Sequence, residues 1–303
     1  MMNKQSSTNI HKLIDKLGAS LGGFVYRKSL IFSKSLESVS IKEAASDTTV
    51  TIGGLKEGTW GEITSEGSAG TFSGGFLNYR WLSNKVPTLL YMHGSGEQPY
   101  NFGRFTDNTF KKIFTKGFKS EVNLILIAAP FHEHSQNEYI KALGYLNNYV
   151  GLLATAAASF DALADRLKKE GSPEVYAAGF SLGAWALNVH RAFRGNNIDR
   201  YIPICAGAKP SGVFISSEYR KLTALQARNK PELLSSKLDF ETEFKASNNG
   251  KCYPLMFRYD LLTELEAQRG AYDGMEIAIL DKGHFTGLQA INDFRQHIIS
   301  SIN

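Results

Sequence analysis

The sequence predicts an α/β chain: a doubly wound, mostly parallel sheet with an N-terminal extension and a helical cap insertion. Three observations point there. From residue 86 onward, apolar runs of five to eight residues alternate with helix-length segments. Those runs are apolar almost throughout, as strands buried on both faces are. A serine with glycines two before and two after it separates one such run from one such helical segment. The chain has 303 residues and 43% hydrophobic content, enough for one sizeable core or for a core domain plus an appendage. With 19 Phe and 13 Tyr it is not a disordered polymer.

Residues 1–45 read as a basic helical extension, and 46–303 as the main domain. In residues 9–25, Ile10, Leu13, Ile14, Leu17, Leu21 and Phe24 recur at spacings of three and four, one apolar face of a helix. The main expectation is a helix packed on the body of the protein. The alternative is a surface-binding amphipathic helix. Residues 36–82 predict strands at Thr48–Ile52, Thr59–Ile63 and Phe76–Leu82, with the Gly/Ser/Thr-rich stretch 65–75 as a loop or hairpin. The core strands follow at Val86–Met92, Val122–Ala129, Val175–Phe180, Tyr201–Ala206, Tyr253–Tyr259 and Glu276–Leu280. Helical patterns fill the gaps at Phe105–Phe114, Leu152–Lys169, Leu182–Phe193, Leu261–Arg269 and Phe285–Ile302. The stretch 210–250 is longer than a crossover needs and carries polar helical segments at Ser217–Arg228 and Pro231–Leu238; it reads as a cap over a site.

The chemistry concentrates at Gly179-Phe180-Ser181-Leu182-Gly183. A serine on a sharp strand-to-helix turn needs small residues on both sides, because the turn brings those positions against neighbouring backbone. The turn lifts the hydroxyl clear of the sheet, at a helix N-terminus whose free N–H groups favour negative charge. Such a serine needs a base. His284, in Gly283-His284-Phe285, follows the last strand and so lies at the same sheet edge. The base needs a carboxylate to orient it. Asp260, at the end of Tyr253–Tyr259, is the candidate, with Asp281 as rival and Glu264 as a third choice. Two backbone donors for an oxyanion should come from Leu182 and from Ser95 in His93-Gly94-Ser95-Gly96, with Gly94 as alternative. His93 reads as a structural residue of that loop. His132-Glu133-His134 lacks further ligands at a recognisable spacing, so it reads as a polar rim of the active site rather than a metal site.

Together, His93 to Gly96, Gly179 to Gly183, Asp260 and Gly283-His284 give the chain a resemblance to the α/β-hydrolase superfamily over about residues 76–303. No subfamily follows from these motifs. The resemblance implies an eight-stranded, mostly parallel sheet with an antiparallel second strand. The N-terminal strands could supply its first antiparallel members. It also implies a nucleophilic serine acting without metal or organic cofactor. The expected activity is hydrolysis of an ester-type acyl substrate, carboxylesterase- or lipase-like, through Ser181, His284 and Asp260. The rivals are an acyltransferase on the same fold and a non-catalytic binding protein that retains it.

The net charge is +5, with a sequence pI near 9.0. Residues 1–45 hold seven basic against three acidic residues, so the catalytic region is nearly neutral and calls for no nucleic acid partner. A solvated tail accounts for the basic start; weak contact of residues 1–35 with a membrane surface is the alternative. Cys205 and Cys252 read as buried thiols rather than a disulfide framework, with a bridge between them left open. The start lacks a compact apolar segment followed by a cleavage site, and no run is long enough to span a membrane, so the expectation is cytoplasmic. The oligomeric state is not legible.

Overall fold

The computed structural model describes residues 4–25, 29–55, 58–133 and 135–303. Its strands are β1 (Thr49–Ile52), β2 (Trp60–Gly67), β3 (Gly70–Arg80), β4 (Thr88–Met92), β5 (Asn123–Ala128), β6 (Val175–Phe180), β7 (Arg200–Ile204), β8 (Lys251–Cys252), β9 (Leu255–Phe257) and β10 (Ala278–Leu280). They form one sheet in the order β1-β2-β3-β5-β4-β6-β7-β9-β10, with β8 paired to β7. From β5 to β10 every pairing is parallel. β3 runs antiparallel to both β2 and β5. The eight strands from β2 to β10, leaving out β8, therefore have the expected antiparallel second member, supplied by the N-terminal strands. β1 and β8 are additions.

Continuous apolarity in the core strands has a direct cause. Along β4, Leu90 and Met92 join one buried layer while Leu89 and Tyr91 join the other. Helices Leu146–Lys169 and Leu182–Phe193 cover the first face; Thr109–Phe114 and Ile291–Ile302 cover the second. Chain order reverses across β4, which sends β5 one way and β6 the other. A crevice opens at such a reversal, beyond the carboxyl ends of the strands.

The N-terminal segment is bound into this body. Ile31 and Phe32 are fully buried. Ile31 N–H donates to Leu222 O (2.8 Å) and Ile31 O accepts from Ala224 N–H (2.9 Å). The Arg194 guanidinium donates to Ala45 O and Thr48 O while pairing with Asp161.

Several boundaries differ from expectation. The stretch 65–75 is a hairpin whose strands run to Gly67 and restart at Gly70. Ladder pairing from Glu66↔Thr71 to Ile63↔Gly74 needs only main-chain groups, so low apolarity did not end the strands. The helix expected from Phe105 starts at Thr109, where Asn108 accepts from Lys111 N–H. The helix expected from Leu152 starts at Leu146. Ser217–Arg228 is a 3-10 turn (Glu218–Leu222) and a short helix (Leu225–Arg228), and Leu261–Arg269 is helical only over Leu265–Gln268, followed by a 3-10 turn. The last helix is two, His284–Gly287 and Ile291–Ile302. Cys205 and Cys252 are free thiols, the first buried and the second half-buried. Among the described residues no helix is long and apolar enough to cross a membrane.

The N-terminal helix, Lys4–Val25, does pack on the body, but not through its leucines. Asp15 and Ala19 face inward, at 0% and 2% exposure, while Leu13, Leu17 and Leu21 are 55%, 60% and 65% exposed.

Candidate active site

Ser181 sits between β6 and the helix Leu182–Phe193 with φ 49° and ψ −107°, a left-handed conformation rare for a residue with a Cβ. Its neighbours enforce the turn. Ser181 N–H donates to Ile204 O (2.8 Å) and Gly183 N–H to His93 O (3.0 Å). A Cβ on Gly179 would run into the backbone of Gly183, and one on Gly183 into the carbonyl of Met92. Both glycines are thus required by contact with backbone, which cannot swing aside. Gly183→Ala is expected to lower the yield of folded protein and the thermal midpoint by several degrees, measurable by calorimetry.

His284 opens the short helix after β10 and is 8% exposed. Its Nδ1 lies 2.7 Å from Asp260 Oδ2, a contact that in the neutral imidazole keeps the proton on Nδ1 and turns Nε2 into an acceptor. Asp260 is itself held, because Oδ1 accepts from Leu262 N–H (2.7 Å) and Thr263 N–H (2.8 Å). Burial by itself pushes the imidazole down, but the Asp260 charge, the hydrogen bond to it and the Asp15 charge outweigh burial and raise His284 above its ordinary value. Asp281 instead accepts from Arg258 Nε at 2.6 Å on the surface. No hydrogen bond to His284 is formed by Glu264.

The loop after β4 is fastened at nearly every point. Gly94 N–H donates to Glu97 Oε1 (2.8 Å), and Gly96 N–H donates to His132 Nε2 (3.1 Å). His93 is fully buried, donating from Nδ1 to Gly94 O (2.7 Å) and accepting at Nε2 from Ala129 N–H (3.2 Å). Burial holds it well below the usual imidazole range. Gly94, the alternative oxyanion donor, is therefore occupied. Among the described residues no hydrogen bond is made by Ser95 N–H or Leu182 N–H. Register places the two near each other, since β4 and β6 pair directly with Met92 opposite Gly179.

Ser95, Ser181, Leu182 and His284 line one cavity of about 360 Å3. Much of its remaining wall is apolar, with Ile31 from the N-terminal segment, Trp185, Phe285 and Leu288. Val213, Phe214 and Tyr219, within the 210–250 insertion, close another side. No hydrogen bond joins Ser181 Oγ to His284 in this structure.

Neither a protein-family model nor any curated protein matches the chain in sequence. Solved structures do match in shape. A lipase-esterase related protein from Clostridium acetobutylicum aligns with TM-score 0.51 and 14% identity over 75% of this chain and 99% of its own. Acetyl xylan esterase 1 from Thermoanaerobacterium sp. aligns with TM-score 0.52 and 11% identity, over 88% and 96%. The chain adopts the α/β-hydrolase fold. An acylaminoacyl peptidase from Pyrococcus horikoshii is also similar, with TM-score 0.52 and 12% identity over 83% of this chain and 40% of its own.

The structure also brings in residues that sequence reasoning missed. Asp15, in the N-terminal helix, accepts from Leu261 N–H (3.1 Å), His284 N–H (2.9 Å) and Phe285 N–H (3.1 Å). It ties together the loops that follow β9 and β10, which carry Asp260 and His284. Burial raises its carboxyl against the pull of those donors. The one available signal was a lone acid on an otherwise basic helix, opposite the leucine stripe. Glu97 braces the β4 loop and accepts from Thr109 N–H (2.8 Å); burial pushes it up to about 7. Tyr139 bonds Ser95 Oγ at 2.6 Å. His132 proves to be a brace for Gly96; His134 lies outside the described residues. Asp15→Ala would leave three donors without their acceptor, at about 1–3 kcal/mol each where water cannot enter. The expected result is a lower urea midpoint and reduced kcat with the nucleophile intact, measured side by side with wild type.

Proposed function

We propose that this chain is a serine hydrolase that cleaves an ester-type acyl substrate. One observation carries the reading. A strained serine, a carboxylate-bound imidazole and two residues whose N–H groups make no hydrogen bond among the described residues line one largely apolar cavity.

In this reading His284 Nε2 takes the Ser181 proton as Oγ attacks the carbonyl carbon. The carbonyl oxygen becomes an oxyanion and rests on Leu182 N–H and Ser95 N–H, aided by the helix N-terminus. The imidazolium, steadied by Asp260, returns its proton to the leaving alkoxide, which departs as the alcohol. Water then attacks the acyl-serine, giving its proton to His284, and the collapsing intermediate releases the acid and regenerates Ser181. The mechanism requires the Ser181–His284 hydrogen bond to close once substrate is bound. No step calls for a metal or organic cofactor. Trp185, Phe214 and Leu288 support an apolar acyl group, and residues 210–250 act as the cap.

The test is a p-nitrophenyl ester series of increasing acyl length, with and without an added alcohol or thiol acceptor. Hydrolysis that peaks at a medium or long chain, with no need of the acceptor, is the expected result. Product formed only when the acceptor is present would make the chain an acyltransferase. No turnover and no labelling by a fluorophosphonate would make it a binding protein on this fold.

A further inference from the structure

The N-terminal helix presents to solvent the face that amphipathic helices usually bury. At 100° per residue, Ile10, Leu13, Ile14, Leu17, Leu21 and Val25 fall on one side, opposite Ala19. Ile10 is 41% exposed and Val25 59%, continuing the exposed leucine stripe at both ends. The helix cannot simply roll over to bury this stripe, because its other face is committed. Asp15 is clamped by three main-chain donors, and His11 Nδ1 bonds Thr286 Oγ1 at 2.8 Å. Gly18 lies so close to the Phe285 ring that a Cβ there would collide with it. Gly23 is similarly close, its Cβ position 3.0 Å from Lys221 O.

Charge identifies what covers the stripe. Asp15 is the only acidic residue between Lys4 and Val25, and it is buried. Lys16 is exposed beside Leu13 on one flank of the stripe, Lys12 is exposed further round the helix toward Ala19, and neither forms an ion pair among the described residues. On the body beside the helix, Lys221 bonds Ser20 Oγ at 3.0 Å and is paired with Glu218, while the charges of Lys282 and Asp281 both reach His11, so the exposed positive charge comes from the helix itself. An apolar stripe with Lys16 at its edge, on a helix with exposed lysines and no exposed carboxylate, complements a layer of apolar chains beneath anionic headgroups. The placement also suits the cavity, because Phe285, against Gly18, forms part of its wall.

We propose that the helix Lys4–Val25 docks the protein on an anionic lipid surface, with Leu13, Leu17 and Leu21 entering the acyl region and Lys16 meeting the headgroups. This docking is independent of the catalytic reading. It is tested with full-length Ser181→Ala protein mixed with phosphatidylcholine vesicles, alone or containing phosphatidylglycerol, and sedimented. The expected result is co-sedimentation with the anionic vesicles that weakens as salt rises. Leu13→Gln/Leu17→Gln/Leu21→Gln, whose changes are all on the surface, should fold with an unchanged circular dichroism spectrum. It should bind more weakly by roughly tenfold per leucine. Lys16→Glu should weaken the preference for anionic vesicles. Absence of the Ser181→Ala protein from the anionic pellet would overturn the proposal, as would binding that survives the triple glutamine change made in it. A concentration-dependent dimer abolished by those glutamines, without vesicle binding, would assign the face to a second copy instead.

Discussion

Ser181→Ala is expected to lower kcat for a p-nitrophenyl ester by roughly a million-fold while leaving KM and the fold nearly unchanged. The size of the loss follows from chemistry: without Oγ there is no covalent intermediate, and only binding and the oxyanion donors remain to help water attack. The fold should tolerate the change, because the Ser181 side chain does not cap its helix. The backbone bonds that hold the elbow run through Ser181 N–H and Gly183 N–H, which alanine leaves in place. Steady-state kinetics with a circular dichroism spectrum of each protein checks this. A variant retaining kcat within about tenfold of wild type would point to a different nucleophile.

The second large effect is expected at Asp260, where Asp260→Asn should reduce kcat by roughly ten-thousand-fold. The asparagine carbonyl can keep the bonds that Oδ1 now accepts from Leu262 and Thr263 N–H, so the loop should stay in place. Its NH2 group then faces His284 Nδ1 and donates to it. That moves the imidazole proton to Nε2, where it blocks acceptance of the serine proton. The same substitution has a pH signature. The base works only as neutral imidazole, and Asp260 and Asp15 raise His284 above its ordinary value of 6.5. Wild-type kcat/KM should therefore fall as pH drops through an inflection above 6.5. Removing the Asp260 charge leaves burial to dominate, so the inflection in the variant should move toward lower pH. An unchanged inflection would show that the titrating group is not this imidazole.

How much of this was legible in the sequence depended on the range of the forces involved. β6 and the helix after it occupy Val175–Phe180 and Leu182–Phe193, the limits expected from pattern alone. Both are set locally, by uninterrupted apolarity and by a turn that admits only glycine at its margins. The break in the last helix was not local. A Cβ on Gly287 would collide with the Phe257 ring, so the chain there is shaped by packing against β9. The N-terminal helix teaches the same lesson. Its periodicity revealed an apolar face but not which face meets the body. That was decided by Asp15, which reaches donors 246 to 270 residues away in the chain. Periodicity measures how side chains are distributed around an axis; it does not record a buried carboxylate accepting three hydrogen bonds from distant loops. Glu97 was hidden in the same way, its partner Thr109 belonging to the next helix.

The account stands on the hydroxyl at the β6 elbow being the group that becomes acylated. Exposing the native protein to a fluorophosphonate, digesting it and locating the added mass by tandem spectrometry addresses that directly. The expected outcome is one phosphonylated peptide, modified at Ser181 and formed more slowly once His284 is replaced by alanine. Robust ester turnover with Ser181 unmodified, or an adduct placed on another side chain, would contradict it.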